Sequence, residues 1–241
     1  MIMTVKLFGM LKGLLGGESD FTITLEPGAH VHDLIAAVQR LNPDIGDLLL
    51  KKKVLVSVDH EIAHGDLELT GSEEIAFLPP FAGGAEPQEG NPSMSTVDTE
   101  EAMLVRVQRE NFSVEEEVNR VRARSKRIGG VVTFLGTARD FSQGRDVSRI
   151  TFEYYEGMAQ KTLRDIRECA LQDFDVIEVL ILHRHGEITI GENIVLIVVG
   201  AEHRADAFKA CKWCIDELKQ ITPIWKREQT PEGEVWVEQH P

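Results

Sequence analysis

Residues 85–103, AEPQEGNPSMSTVDTEEAM, most constrain what this chain can fold into. They hold two prolines, Gly90, several Ser and Thr, and only acidic charges. No apolar residue recurs there at the two-residue period of a strand or the 3.6-residue period of a helix. Such a stretch has no face to bury, so the chain of 241 residues is predicted to fold as two bodies, 1–84 and 104–241, joined by a linker over 85–103. The length suits two domains of ordinary size, each able to build its own core. At ~3.3 Å per residue the linker spans at most roughly 60 Å. That reach lets the first domain dock on its own partner domain or on a neighbour's, and the residues leave both open.

Charge divides along the same boundary. Residues 1–84 carry 6 Lys and Arg against 12 Asp and Glu, whereas residues 104–241 carry 20 against 23. The net charge of -14 argues against a polyanion binder whose affinity rests on neutralising phosphates, so no nucleic-acid partner is expected. The near balance of the second part still permits a local basic pocket. Three cysteines make no disulfide framework and fit a reducing compartment. No apolar run reaches membrane-helix length, and the opening MIMTVKLFGMLKGLLGG lacks the pattern of a secretory signal. A cytoplasmic location without membrane attachment is the expectation.

In the first part, TVKLF (4–8) and FTITL (21–25) read as a hairpin. Val31, Leu34, Ile35 and Val38 recur at helical spacing, with Pro27-Gly28 before them and Asn42-Pro43 as a stop. VLVSV (54–58) and EIAFLPP (74–80) follow as strands, the second ended by a double proline. The order predicts a small α+β domain. In the second part a helix is predicted over 113–124, opened by the capping pair Ser113 and Glu116. Strands are predicted at 129–139, 147–155, 176–186 and 193–201, with helices at about 158–172 and 204–219. Phe208, Cys211, Ile215 and Leu218 form the apolar stripe of the last helix. IWKRE (224–228) and EVWVE (234–238) close the chain as a strand pair around Thr230-Pro231-Glu232-Gly233. This part also reads as a mixed α+β fold.

Two constellations point to chemistry. LPPFAGG, residues 78–84, is extended by its prolines and stripped of bulk by its glycines, a tail narrow enough to thread a tunnel into another active site. With the hairpin, helix and strands before it, residues 3–84 resemble the ubiquitin-like β-grasp sulfur carriers, nearest the small-subunit (MoaD) type of molybdopterin synthase. Carriers of that family end at the second glycine, whose carboxylate is adenylated by an activating enzyme and converted to a thiocarboxylate. Here Gly84 is bonded to Ala85, so the resemblance implies either cleavage behind Gly84 or an inert carrier half. An exposed connector suits cleavage.

The second constellation is basic. Arg139, His203, Arg204, Lys219, Lys226 and Arg227 all fall near the ends of predicted elements, from which side chains converge on pockets. Arginine forks and a helix N-terminus suit phosphate oxygens. A lysine desolvated beside other cations suits acid, base or nucleophilic work. GGVVTFLGTAR (129–139), FEYYEGM (152–158), HRHGEITIGE (183–192), AEHRADAF (201–208) and LKQITPIWKREQTPEG (218–233) together resemble the large catalytic (MoaE) subunit family of molybdopterin synthase. That resemblance implies a sulfurtransferase of molybdenum cofactor biosynthesis acting on cyclic pyranopterin monophosphate. It assigns catalysis to Lys219 and Lys226 with the carrier's Gly84. It assigns substrate binding to Thr137, Ala138, Arg139, His203, Arg204, Lys219, Lys226, Arg227 and Glu228, and implies a homodimer through the second domain. The alternative reading is a ubiquitin-like carrier or binding module with a non-catalytic fused domain, which loss of the basic set would favour.

Other motifs are set aside. Cys211-x-x-Cys214 sits inside the amphipathic helix with no second pair, so core packing is expected. His183 and His185 end a strand at HRHG and are read as structural or substrate-proximal, without a metal, and the Gly-Gly pairs lack a nucleotide-loop pattern. No metal or cofactor is expected.

Overall fold

The computed structural model describes residues 1–79, 101–221 and 223–237. These fall into two compact units, one on either side of residues 80–100. Residues 80–84, predicted as an extended tail, and most of the predicted linker lie outside the described residues.

The first unit is a five-stranded mixed sheet with helices against it. β1 (Ile2–Leu7) alternates exposed and buried residues, so Met3, Val5 and Leu7 enter the core and the residues between them face water. It pairs antiparallel with β2 (Asp20–Thr24) after a short α1 (Leu11–Leu14). α2 (Val31–Leu41) packs Val31, Leu34 and Val38 onto the sheet. β3 (Leu55–Val58), β4 (Glu61–Ile62) and β5 (Ile75–Leu78) complete the order β2-β1-β5-β3-β4. β5 runs parallel to β1 in the middle of the sheet with all four residues buried. This is the β-grasp arrangement that the resemblance implies, within the small α+β domain expected from the residues.

One local expectation is corrected. Asn42-Pro43 does stop α2, yet it also starts α3 (Pro43–Leu50). Asn42 leaves helical backbone geometry, its side-chain oxygen accepts the Ile45 N–H at 3.1 Å, and Pro43 occupies the first helical position, where its missing N–H costs nothing. The same dipeptide reads as a stop and as a start.

The second unit has two four-stranded sheets. After a 3-10 turn (Glu101–Met103), β6 (Val105–Gln108) and α4 (Val114–Ala123) precede β7 (Gly130–Thr137). The hydroxyl of Ser113 accepts the Glu116 N–H at 3.3 Å and caps α4. A small ribbon, β8 (Phe141–Ser142) with β9 (Arg145–Asp146), leads to β10 (Arg149–Tyr154) and then α5 (Glu156–Asp173). β11 (Glu178–Arg184), β12 (Gly186–Thr189), β13 (Asn193–Ala201), α6 (Arg204–Ile221), β14 (Ile224–Thr230) and β15 (Gly233–Val237) follow.

The first sheet, β6-β11-β13-β7, is covered on both faces. Val179, Ile181, Ile197 and Val199 pack with α5 and α6, while Leu180, Leu182, Leu196 and Val198 pack with α4 residues such as Val121. Full burial of β11 and β13 explains why they read as continuous apolar runs rather than alternating ones. The second sheet, β12-β10-β14-β15, has its own core of Ala138, Val147, Ile150, Phe152 and Ile188. The predicted run 176–186 is split at Gly186, where φ of 78° turns the chain into the second sheet.

The stripe on α6 holds at Cys211, Ile215 and Leu218 and fails at Phe208. Ala207, Cys211, Cys214 and Leu218 face the core, with Ile215 beside them, but Phe208 is 60% exposed. Burial drives the Cys211 thiol up to about 11 and that of Cys214 to about 12. Both therefore pack as small apolar groups. No helix among the described residues is long and apolar enough to cross a membrane.

Candidate functional site

A cleft of about 270 Å³ opens where the two sheets of the second unit meet the end of α6. β7 and β13 supply Gly136, Thr137, Ile194 and Val195; β10 supplies Ile150 and Phe152; β14 supplies Ile224, Lys226 and Glu228. The last turns of α6 bring Ile215, Leu218 and Lys219, and Arg139 stands just past β7. One part of the lining is thus apolar and aromatic, and three cations sit among it. An electron-poor ring with an anionic group is the class of molecule such a lining matches.

Strand geometry explains the selection along β14. Lys226 and Glu228 are two residues apart and share a face, while Arg227 between them points to the other. Lys226 lies opposite Phe152 of β10 in register. Its Nζ is 2.7 Å from Glu228 Oε1, with side-chain exposures of 12% and 3%. The contact is an ion pair at good distance but outside hydrogen-bond angles, so Glu228 Oε1 accepts no hydrogen bond among the described residues. Arg227 instead pairs with Glu234 at 2.7 Å and lies over the Trp236 ring at 5.4 Å.

Helix geometry makes the second separation. Lys219 is half-buried in the last turn of α6, whereas His203 and Arg204 are exposed at its start. Fifteen residues at 1.5 Å each put Arg204 about 22 Å from Lys219 along the axis, outside the cleft of the same chain. The α6 start is itself built closely. Gly129 donates its N–H to Ala201 O at 3.0 Å, and a Cβ on Gly129 would come within 2.6 Å of Glu202 O. That close approach is the reason for a glycine there.

Of the residues singled out in the sequence, Thr137, Arg139, Lys219, Lys226 and Glu228 line one cleft. Ala138 lies beneath it, buried, its N–H donating to Glu192 O at 2.9 Å. His203, Arg204 and Arg227 lie elsewhere, and Gly84 is outside the described residues. Sequence reasoning set one cleft residue aside as structural or substrate-proximal. His183, 4% exposed, lines the cleft edge-on to Phe152 at 5.1 Å, with Nδ1 2.7 Å from Arg184 O. Its place in HRHG directly after the apolar run Val179–Leu182 was the available signal. His185 is not part of that lining and lies against Tyr154, ring centroids 4.4 Å apart. Burial and then the nearby Arg109 hold its pKa below the ordinary histidine value. Among the described residues, no group of three or more metal-ligating side chains gathers in the cleft.

Comparison with known proteins gives two matches along the chain. Residues 107–221 match the family described as MoaE protein, and residues 5–84 match the ThiS family. Over 129 residues the chain is 47% identical to the molybdopterin synthase catalytic subunit of Pyrococcus abyssi, covering 54% of this chain and 86% of that protein. Over 134 residues it is 41% identical to the catalytic subunit of Ralstonia nicotianae, covering 56% and 76% respectively. The solved structure of molybdopterin synthase from Staphylococcus aureus matches with a TM-score of 0.53 at 30% identity, over 56% of this chain and 96% of that one.

Proposed function

Because this chain belongs to the MoaE family of molybdopterin synthase catalytic subunits and carries a ThiS-family domain ahead of it, we propose that it is a fused molybdopterin synthase. The reaction we infer moves sulfur from a thiocarboxylate on Gly84 to cyclic pyranopterin monophosphate. Two such transfers build the dithiolene of molybdopterin, each returning the carrier glycine as a carboxylate. The carrier chain must end at Gly84 for this, so the reading includes cleavage of the Gly84-Ala85 bond and an adenylating enzyme as partner.

The observation that carries the reading is the cleft in which Lys219 and Lys226 stand over an apolar floor with Arg139 at the rim. An apolar floor takes the ring system, and Arg139 offers a fork to the cyclic phosphate. Lysines at a water-poor wall stabilise negative charge as the thiocarboxylate sulfur attacks, and they pass protons to the oxygen that leaves. Glu228, paired with Lys226, fixes where that ammonium sits.

His203 and Arg204 fit this reading only through a second copy. About 22 Å from Lys219 of their own chain and exposed at the start of α6, they complete the cleft of a neighbour in a homodimer. A cytoplasmic location accompanies the reading.

The intact mass of the protein isolated from its own host tests it. Scission after Gly84, with an oxygen-to-sulfur exchange on the N-terminal fragment, is the expected result. An uncut chain that makes no molybdopterin when given the precursor and a sulfur donor would sink it.

A further inference from the structure

The first unit carries a cluster that the proposed sulfur transfer does not use. His30, His32 and Asp33 stand at the start of α2, and one ligand atom from each lies within 4.8 Å of the other two. His32 Nε2 is 3.5 Å from Asp33 Oδ2, and His30 Nδ1 is 4.0 Å from the same oxygen. Two ligands of a tetrahedral metal at about 2.0–2.1 Å are themselves about 3.4 Å apart. The His32 and Asp33 pair already has that spacing, and the His30 pair needs only a small side-chain rotation to reach it.

A second observation concerns the tautomer. His32 Nδ1 is 2.6 Å from Gly65 O. A carbonyl only accepts, so the proton of the neutral ring belongs on Nδ1 and the lone pair on Nε2, the atom facing Asp33. Metal-bound histidines are held and oriented by such outer contacts. The mount is rigid as well. The two imidazoles stack at 5.3 Å and 21°. The backbone N–H groups of Val31 and His32 donate to Leu67 O and Gly65 O, each at 2.9 Å, tying the helix start to the loop before β5.

Two forces oppose a cation here. The start of a helix carries partial positive charge, and the Asp33 carboxylate already accepts the His30 N–H at 2.9 Å. The carboxylate answers the first with a full negative charge, and it answers the second because Oδ2 has two lone pairs, one for the N–H and one for the ion. The side chains of His32 and Asp33 are 62% and 49% exposed, which leaves room for a water as fourth ligand.

We propose that His30, His32 and Asp33 form a binding site for a divalent transition metal of the zinc, cobalt or nickel type on the carrier domain. Two imidazoles and one carboxylate suit such ions and not magnesium or calcium, which take oxygen ligands. The site is separate from the cleft, so its fate does not depend on the sulfur-transfer reading.

The test uses the full chain, stripped with chelator and titrated with Co2+ while the visible absorption of the bound ion is followed. One saturable ion per chain, displaced by Zn2+, is expected. His32→Gln should weaken binding at least ~10-fold. His30→Gln should also weaken it, and Cys169→Ser, which removes an exposed thiol, should leave it unchanged. Circular dichroism checks that each variant keeps its fold, which the exposure of these side chains favours. No saturable binding overturns the site, as does binding indifferent to both histidine changes or lost on Cys169→Ser.

Discussion

Within one strand, three consecutive residues show how much a position decides. Lys226 and Glu228 face the cleft as a nearly dry ion pair, and Arg227 between them lies over Trp236 at the surface. Removing one partner from a buried pair leaves the other uncompensated. Glu228→Gln should therefore lower stability by roughly 1–3 kcal/mol, read as a shift in the urea midpoint. Arg227→Gln, which breaks a half-exposed pair, should cost no more than about 1 kcal/mol. Equal losses would contradict this division of roles. Lys219 gives the functional counterpart. Lys219→Ala should cut molybdopterin formation by about 100-fold or more while leaving thermal unfolding nearly unchanged, and retained activity would remove Lys219 from catalysis. The residue types of this site were legible in the sequence, since cations near element ends stand out. Which of them share a pocket was not, because that depends on strand facing and helix length together. Arg227 has the same neighbours in sequence as the cleft residues and the opposite direction in space.

At the scale of elements, long and strongly patterned segments were readable. β11, β13, α5 and α6 lie close to their expected ranges, because continuous apolar runs and helical stripes leave few alternatives. What escaped is short or ambiguous. β6, only Val105–Gln108, has too few residues to show a period and is fixed by its parallel neighbour β11. α3 was hidden by a dipeptide that both ends and begins helices. Phe208 was assigned to the buried stripe because period alone does not locate its centre, and the smaller Ala207 occupies that place instead. The turn before β5 shows chemistry at this scale. Burial pushes the Glu73 carboxyl upward, but the Thr70 hydroxyl, the backbone N–H of Thr70 and that of Gly71 bind it, and the balance holds it at about 2. A carboxyl depressed from 4.5 to about 2 on folding contributes stability above pH 4.5 that is lost as pH falls towards 2. The first unit should accordingly weaken across that window. Glu73→Gln should flatten the acid limb of its unfolding profile, and an unchanged limb would show that other carboxylates set it.

For the whole molecule, the connector's lack of any apolar period already forced two bodies, and composition alone put the basic residues in the second. The predicted helix over about 204–219 already put Arg204 and Lys219 at opposite ends, but nothing in a linear pattern says whether one chain or two supply a site. Complementation checks the proposed homodimer. A chain with Lys219→Ala and one with Arg204→Ala should each be nearly inactive. Mixed and re-associated, they should regain about a quarter of normal activity, because half the dimers are hybrids with one intact site of two. No recovery would place all the residues of a site in one chain.

α6 sets an angle as well as a length. Each residue of a helix advances the azimuth by about 100°, so the bearing of Lys219 relative to Arg204 is fixed by the number of residues between them. Inserting a single alanine in the exposed face of α6 would lengthen it by only about 1.5 Å, yet it would swing Lys219 out of the cleft or Cys214 and Leu218 out of the core. Evolution can change the side chains along this helix, but it is held to their count.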